Sequence, residues 1–376
     1  MDLAFSDEQR ALADTVGRLL DQERDFPARR AQLADGVTVA PAVWRHFAEQ
    51  GLLSLPRADG GGTIVDVVAI AMRFGAALLT EPYLATVILA GATLELAGTE
   101  RAREVLAEIS SGAAIVGFAH DETVSGGPAE LIETSARAAG DTFVVTGCKP
   151  LVLAAGDASH LVVTAQAPDG LAVFLVDPHA AGVTIEPFIT IDGRGAGRVR
   201  LRDVVLPAES LLLRDAATRI DQVVADATVY LAAESVGAME ALFRMTASYA
   251  TTRTQFGKPI ASFQTVAHRL ADMKIALAKA HASLLYVTAL CEAGLASASD
   301  ISVLKAQTGR LGRALAEAAV QTHGGVGMTD ELAVGHLLKR LLANDALFGD
   351  AELHLRRLGL STANGSVTAS SRDLNR

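Results

Sequence analysis

Residues Thr252–Gln264 read TRTQFGKPIASFQ and place side chains suited to a flat, phosphorylated ligand around a helix-breaking turn. Arg253 carries a planar, permanently charged guanidinium group that pairs well with phosphate. Phe256 offers an aromatic face to a flat ring, and Gln255 and Gln264 can make neutral hydrogen bonds to ribose or to ring edges. The same spacing is also typical of a corner between two helices, with a solvated arginine and a core phenylalanine.

A second stretch, QTHGGVGMTDE at Gln321–Glu331, is rich in glycine and follows a predicted long helix. Gly324 and Gly325 would let the backbone pass close to a ligand and expose its amide groups. The stretch lacks the strand–turn–helix setting of a dinucleotide-binding fingerprint. An ordinary glycine cap at the end of a helix is therefore the alternative interpretation.

The composition narrows the class of protein. The 376 residues carry a formal net charge of −10, 5% aromatic residues and a pI near 5.4, which argues against nucleic acid as the main partner. Two cysteines, Cys148 and Cys291, show no pairing pattern and indicate a reducing compartment. Neither a secretory signal nor a membrane span is predicted. The mean hydropathy of +0.30 favours subunit contacts, so we expect a cytoplasmic oligomer.

Three regions with different periodicity predict an α+β multidomain protein. Helical periodicity runs over residues 1–112, short β-rich runs fill 113–215, and helical periodicity returns over 216–360. We therefore expect an N-terminal all-α domain, a middle β-sandwich or barrel, and a C-terminal four-helix bundle. The polar tail, residues 361–376, is expected to be flexible.

Local patterns predict which faces of two elements are buried. In GRVRLRDVVLP, arginines alternate with apolar residues, which indicates a strand with one wet face and one buried face. The residues assigned to the buried face are Val199, Leu201 and Val205. In the bundle region one apolar stripe of a long helix consists of Val266, Leu270, Met273, Leu277 and Leu284.

The two candidate ligand stretches, followed by LFGDAELH, resemble the C-terminal domain of the acyl-CoA dehydrogenase family. FAEQGLLSLPRADGGG and FGAALLTEPYLATV look like that family's opening helical domain, and GAGRVRLRDVVLPAESLL is similar to its middle domain. The resemblance covers residues 1–358, in order and with compatible spacing. It implies the family's fold, FAD as the cofactor and an acyl-CoA thioester as the substrate.

The resemblance also implies which residues hold the cofactor. In the family, the arginine–phenylalanine–glutamine turn and the glutamine–glycine–glycine segment of one subunit bind the adenosine diphosphate half of FAD, which is held mainly by a neighbouring subunit. The matching positions are Arg253, Gln255, Phe256, Gln264, Gln321, Gly324 and Gly325. A site shared between chains requires an oligomer, so we expect a homotetramer or a heterotetramer with a paralogous acyl-CoA dehydrogenase chain.

The base that the family uses is missing at both of its known positions. The glutamate that removes the substrate's α-proton is replaced by Phe348, and the alternative position on the first bundle helix is Ala227. Three carboxylates remain as candidates for the base. Asp226 lies beside the alternative position, and Glu234 lies on an alanine-rich helix face where an unpaired buried acid is costly. Asp350 follows the glycine after Phe348.

Each of these candidates has an alternative. Asp350 is also a natural N-cap for the helix AELHLRRL. A base on another chain, or none at all, is the further possibility. The flavin-ring side departs from the family as well, because HDETVSGG differs from the expected segment and Leu151 and Leu153 stand where the resemblance implies tryptophan and threonine.

These observations lead to one predicted reaction and one alternative. The reaction is the FAD-dependent α,β-dehydrogenation of an acyl-CoA thioester, in which a carboxylate removes the α-proton and the β-hydride passes to FAD. The electrons would then go to an external electron-transfer flavoprotein. The alternative is a partner-dependent or non-catalytic subunit of a heterotetrameric acyl-CoA dehydrogenase that completes the partner's FAD site. Isolated histidines show no metal-ligand spacing, so no metal site is predicted.

Overall fold

The N-terminal part of the chain is helical. The computed structural model describes residues 4–23, 25–123 and 132–360. Part of the HDETVSGG segment therefore lies outside the described residues, as does the tail 361–376. The N-terminal helices are α1 (Asp7–Glu23), α2 (Phe26–Ala34), α3 (Pro41–Glu49), α4 (Ile64–Ala76), a π-helix (Tyr83–Gly91), α5 (Ala92–Ala97) and α6 (Glu100–Ser110).

Local sequence signals explain where several of these helices begin. Thr63 accepts a hydrogen bond from the Asp66 amide while the Asp66 side chain accepts one from the Thr63 amide, which makes a capping box at the start of α4. Asp25 and Thr99 cap α2 and α6 in the simpler way. Pro41 occupies the first turn of α3, where a missing amide hydrogen costs nothing.

The middle of the chain forms one sheet of eight strands, which are β1 (Val116–Ala119), β2 (Ser135–Ala139), β3 (Thr142–Leu153), β4 (His160–Ala167), β5 (Gly170–Val176), β6 (Val183–Ile189), β7 (Gly195–Pro207) and β8 (Leu211–Leu213). Its hydrogen-bonded order is β6-β7-β3-β2-β4-β5-β8, and β1 pairs in parallel with β4. Most of the other pairs are antiparallel, and the two longest strands, β3 and β7, lie side by side.

The two faces of β4 and β5 are both buried, but in different cores. Val162 and Val173 pack into the large core shared with the helices, whereas Val163 and Phe174 pack into a second core within the sheet region. Successive strand residues point to opposite faces, so each strand supplies both cores. This arrangement explains why these strands read as continuous apolar runs and show no alternating pattern.

The predicted alternation along β7 is wrong at Val205. Val199 and Leu201 are buried as expected, but Val205 is 60% exposed while its neighbours Val204 and Leu206 are buried. The cause is Asp203, whose φ of 48° interrupts the extended backbone. The pairing register with β3 shifts near this point, so the residues after it face the opposite side.

The C-terminal part is again helical and consists of long, packed helices. The helices are α7 (Ala217–Thr252), α8 (Gln264–Glu292), α9 (Ala298–His323) and α10 (Ala333–Ala346), and residues 351–360 are helical as well. On α8, the predicted stripe is buried at Met273, Leu277 and Leu284. The observed order of helices, sheet and helices confirms the predicted α+β fold class.

Two glycines let the N-terminal helices contact the C-terminal ones closely. A Cβ atom added at Gly75 on α4 would lie 1.8 Å from the Glu234 carbonyl oxygen on α7. A Cβ atom added at Gly237 would lie 1.8 Å from the Met72 carbonyl oxygen. Any larger residue would push the two helices apart, so both glycines hold Glu234 in its buried position.

Helix α8 is long and apolar enough to cross a membrane by length and composition, with a mean hydropathy of 1.2 over 18 residues. The exposed part of this helix includes Ile275 and Tyr286, each 52% exposed. Core helices of soluble bundles meet the same criterion, so the feature by itself is weak support for a span. The apolar exposed face is also what a subunit contact requires.

Candidate functional site

A tight hairpin between α7 and α8 carries the first candidate cofactor residues. Its two-residue strands, β9 (Thr254–Gln255) and β10 (Lys258–Pro259), pair in antiparallel fashion. The turn between them has positive φ at Phe256 (52°) and Gly257 (77°). Two successive residues with positive φ are typical of a type I′ hairpin turn, which glycine tolerates and phenylalanine does not favour.

The strained turn presents Phe256 to solvent. Its side chain is 93% exposed and meets the ring of Phe263 edge-on, with centroids 6.0 Å apart. Lys258 lies over the same Phe263 ring at 4.5 Å. An apolar ring held outward on strained backbone is unusual unless it contacts something outside the chain. The placement therefore fits a ligand or subunit contact and contradicts the interpretation as a core phenylalanine.

The glycine-rich segment lies close to the end of α7. The rings of Tyr249 and His323 stack with centroids 4.4 Å apart and an interplanar angle of 22°. Tyr249 is one helical turn before Arg253, whose amide donates to the Tyr249 carbonyl oxygen at 2.8 Å. His323 directly precedes Gly324. The stack thus links the two stretches that the sequence had singled out separately.

All seven predicted cofactor residues are exposed in the isolated chain: Arg253, Gln255, Phe256, Gln264, Gln321, Gly324 and Gly325. Within the described residues, the Arg253 guanidinium has no hydrogen bond or ion pair, and a Cβ atom added at Gly324 or Gly325 would meet nothing within 4 Å. Gly324 adopts φ 66° and ψ −147°, a combination essentially restricted to glycine. A free guanidinium beside an open glycine backbone fits a diphosphate group.

A separate pocket of about 340 Å³ surrounds Phe348, the residue at the expected position of the base. Val224 and Thr228 of α7 form one wall, and Ser302 of α9 lies opposite. Phe348 has a φ of 60°, a conformation that a bulky residue rarely adopts. Among the described residues, the carboxylates that line this pocket are Asp121 and Asp221.

His354 fixes the backbone beneath Phe348. Its Nε2 lies 3.2 Å from the Phe348 carbonyl oxygen and its Nδ1 lies 3.1 Å from Ser302 Oγ. Burial lowers the pKa of His354 to about 4, so the ring is neutral at pH 7. A neutral imidazole can donate from one nitrogen and accept at the other, which satisfies both contacts.

Asp226 does not line the Phe348 pocket. It lies on a different face of α7 and lines a smaller pocket of about 150 Å³ with Tyr230 and residues of α4 and the π-helix. Its Oδ1 accepts a hydrogen bond from Gln222 Nε2 at 2.9 Å. Burial raises the pKa of the Asp226 carboxyl. The shift suits a proton acceptor, but the location separates Asp226 from Phe348.

Glu234 is buried and faces two arginines. Its Oε2 lies 3.6 Å from Nη1 of Arg194 and 3.6 Å from Nη1 of Arg340. Tyr230 donates its hydroxyl hydrogen to Glu234 Oε1 at 2.9 Å, and Asn344 donates from Nδ2 to Oε2 at 3.3 Å. These contacts tie the Glu234 carboxylate to two guanidinium groups and indicate a structural counterion inside the protein.

Asp192 completes this buried ion cluster and joins the sheet to the helices. Its Oδ2 lies 2.7 Å from Nε of Arg194, next to β7, and 2.7 Å from Nε of Arg340 on α10. Burial raises the pKa of Asp192, but the two guanidinium groups outweigh that effect and hold the pKa at about 2. The cluster contains two cations and two anions, so it is electrically balanced.

Asp350 acts as a helix cap. Its Oδ1 accepts a hydrogen bond from the Leu353 amide at 2.8 Å, as the N-cap interpretation predicted. It lines a different open pocket with Arg310 and Arg313. The three candidate carboxylates thus lie at three different places, and Phe348 shares its pocket with none of them.

A second buried ion pair lies at the end of β1. Lys149 Nζ donates to Glu122 Oε1 at 2.7 Å and to the His120 carbonyl oxygen at 2.8 Å. Burial lowers the pKa of Lys149 to about 8, against the opposing effect of Glu122. This pair fixes the position of Asp121 between His120 and Glu122, at the Phe348 pocket.

Comparison with known proteins shows what the chain is related to. A family model described as "Acyl-CoA dehydrogenase, C-terminal domain" matches residues 220–361. Acyl-CoA dehydrogenase FadE27 of Mycobacterium tuberculosis is 30% identical over 342 residues, with 85% of this chain and 88% of that protein covered. The chain belongs to the acyl-CoA dehydrogenase family.

Solved structures agree with this family. The ChsE4-ChsE5 complex from Mycobacterium tuberculosis includes a chain with a TM-score of 0.88 and 26% identity, and the match covers 96% of this chain and 99% of that one. A glutaryl-CoA dehydrogenase from Mycobacterium smegmatis, solved with FADH2, has a TM-score of 0.89 at 22% identity and covers 96% of this chain and 95% of its own. The second likeness concerns the fold alone.

Sequence reasoning missed Asp121, Asp221 and His354 as residues of the pocket at the family's base position. For two of these residues, Asp121 and Asp221, a sequence pattern could have indicated their position. Asp121 follows the apolar strand Val116–Ala119, where side chains at a strand end often face a site. Asp221 shares a helix face with Val224 and Thr228 because residues three and seven positions apart lie together on a helix. His354 gave no such signal.

Proposed function

We propose that this chain is a subunit of an acyl-CoA dehydrogenase that depends on a paralogous partner chain for the catalytic base. The assembly would dehydrogenate the α,β bond of an acyl-CoA thioester, and its electrons would go to an electron-transfer flavoprotein. The observation that carries the proposal is the contrast between two sites. The predicted cofactor residues are exposed and free to bind, whereas Phe348 occupies the position of the base and shares its pocket with none of the three predicted candidates.

FAD is the cofactor that this proposal requires, and the residues present fit its diphosphate. Arg253 would pair with the diphosphate charge, and the open amides around Gly324 and Gly325 would donate to its oxygens. Phe256, at the tip of the hairpin, would cover an adjacent flat group. Bound FAD supplies the acceptor for the hydride of the β-carbon. The exposure of these residues supports a cofactor shared with a neighbouring chain.

Removal of the α-proton is the step of the reaction that this chain is less equipped to perform. The α-proton of a thioester needs a positioned base close enough for hydrogen bonding. Phe348 has no group that accepts a proton, and Glu234 and Asp350 are engaged in other contacts. A base on the partner chain resolves this conflict. It would place the reaction in the partner's pocket, with this chain completing the cofactor site.

The ChsE4-ChsE5 complex is a relative of stated heteromeric composition. That composition supports a heterotetramer for this chain, and the exposed apolar face of α8 around Ile275 and Tyr286 is a surface that such an assembly could cover. We expect the assembly to function in the cytoplasm, in line with the two unpaired cysteines.

Co-purification with a paralogous acyl-CoA dehydrogenase chain tests the proposal. The chain alone should carry little flavin, and the pair should be yellow and reduce an artificial electron acceptor with acyl-CoA. The proposal fails if the chain alone binds one FAD per subunit and turns over acyl-CoA. The subunit ratio of the yellow fraction separates a true heteromer from a mixture.

A second candidate is a self-sufficient enzyme, favoured by the two carboxylates in the Phe348 pocket. If Asp121 or Asp221 is the proton acceptor, a homotetramer needs no partner. Asp121→Asn and Asp221→Asn then separate the two candidates. Loss of turnover by the homomeric protein with flavin still bound supports the self-sufficient enzyme, and an inactive wild-type homomer supports the partner-dependent subunit.

A further inference from the structure

A second pocket lies on the far side of α7 from Phe348. It encloses about 150 Å³ between α4, the π-helix and α7. Its walls are apolar and buried: Val67 and Val68 come from α4, and Val87 and Ile88 come from the π-helix, all at most 7% exposed. The ring of Tyr230, 2% exposed, closes one end. The valine and isoleucine walls therefore favour an apolar group in the interior.

The π-helix that forms one wall is itself unusual. It spans nine residues, Tyr83–Gly91, whereas most π-helical segments are single turns that occur often at functional sites. Its wider turn places Val87 and Ile88 along the pocket and leaves Ala92, the first residue of α5, at the edge. The π-helical backbone therefore shapes one wall of the pocket.

The rim of the pocket is polar and acidic. Thr63, Glu95 and Asp226 are exposed at the edge of the pocket. Glu95 accepts a hydrogen bond from the Ala58 amide at 3.0 Å and so stays near the opening. The rim therefore carries two carboxylates that an incoming group would meet.

One cation, the buried Arg57, also lines the pocket, but its charge is neutralised. Arg57 donates from Nε and Nη2 to the two carboxylate oxygens of Asp59 at 3.0 and 2.8 Å. This bidentate pair leaves the net charge at the rim negative, from Glu95 and Asp226. An anionic ligand is disfavoured by such a rim, and a cation is attracted to it.

We propose that this pocket binds a small apolar amine, with its hydrocarbon group among the valines and its ammonium group at Asp226 and Glu95. A cavity of this size with an apolar lining accommodates a ring such as benzene. The acidic rim selects the amine over a carboxylate of the same shape. The site would take a ligand class different from an acyl-CoA thioester, which is polyanionic.

The two pockets are independent because α7 separates them. Asp226 and Tyr230 are four residues apart and share one face of the helix, whereas Val224 and Thr228 share another face and line the Phe348 pocket. An amine in the smaller pocket therefore does not compete for the Phe348 pocket. The inference also does not depend on which chain supplies the base.

Binding of benzylamine to the purified full chain, followed by ligand-observed NMR or calorimetry, tests the site. We expect saturable binding of benzylamine and at least tenfold weaker binding of benzoate, which has the same ring and the opposite charge. Asp226→Asn should weaken benzylamine binding by about tenfold, since one charged contact of this kind is worth about 1.4 kcal/mol at a partly exposed rim.

Ala92→Leu fills the pocket from its edge and should abolish benzylamine binding. Ala267→Leu, on an exposed part of α8, makes the same change in size outside the pocket and should leave the affinity unchanged. The proposal is overturned if benzylamine does not saturate the wild-type chain. It is also overturned if benzoate binds equally well, or if Ala92→Leu, with a folded circular dichroism spectrum, binds benzylamine like the wild type.

Discussion

The rings of Tyr249 and His323 stack at 4.4 Å between centroids and so connect the ends of α7 and α9. Arg253 follows Tyr249 by one helical turn, and Gly324 follows His323 directly. The stack therefore contributes to the separation between the Arg253 guanidinium and the open glycine backbone at Gly324. A small displacement of one binding group lowers the affinity for the ligand strongly, because it weakens every hydrogen bond that the group shares with the ligand.

This contact predicts a role for Tyr249 in positioning the cofactor residues. Tyr249→Leu removes the stack and should weaken FAD retention by the assembled protein about tenfold, while Tyr249→Phe keeps the ring and should retain flavin like the wild type. The measurement is the FAD dissociation constant from flavin fluorescence. A purely structural role would lower the melting temperature without this difference in flavin affinity, and equal affinities for the two variants would exclude the positioning role.

Arg253 is predicted to contact the diphosphate of FAD. Arg253→Ala should lower FAD affinity by one to two orders of magnitude, because a charge-assisted contact to phosphate contributes about 1.5–3 kcal/mol. The free energy of unfolding should hardly change, since the guanidinium has no partner among the described residues. Arg244→Ala, another exposed arginine of α7, is the matched control. Unchanged flavin content in Arg253→Ala would refute the contact.

Substitution of Glu234 distinguishes between two roles for this buried carboxylate, catalytic base and structural counterion. As a base, Glu234→Gln would abolish turnover and leave stability intact. If Glu234 is instead a counterion of Arg194 and Arg340, the substitution should lower the free energy of unfolding by about 3 kcal/mol, because the two guanidinium groups lose one of the two anions that they share. Urea denaturation of wild type and variant gives the answer. Wild-type stability together with lost activity would restore Glu234 as the base.

The low pKa of Asp192 predicts that the folded protein loses stability in acid. Its folded-state pKa of about 2 is below the ordinary value, since Arg194 and Arg340 outweigh the effect of burial. The stabilisation is complete above the unfolded-state pKa near 3.9 and disappears as the pH falls through about 2. It amounts to about 2 kcal/mol. Denaturation curves between pH 5 and pH 2 should show this loss in wild type, and a smaller loss in Asp192→Asn.

The sequence predicted the type of most elements correctly, because their signals are local. The apolar stripe of α8 was buried at Met273, Leu277 and Leu284, and Asp350 capped a helix as its position suggested. The prediction for Val205 was wrong because Asp203 adopts a positive φ. A single residue that changes backbone region reverses the facing of every later residue in a strand, and residue type alone did not reveal it.

The amino-acid sequence by itself determined the family, the order of helices, sheet and helices, and the exposed hairpin and glycine segment of the predicted FAD site. The family follows from the resemblance of the motifs to known members, and the order of elements and the two turns follow from periodicity and turn chemistry within short windows. Only the tertiary structure decided that Asp226, Glu234 and Asp350 lie in three separate places. Which carboxylate shares a pocket with Phe348 depends on how α7 is rotated against α4, α9 and α10, and that rotation is set by packing between residues far apart in the chain.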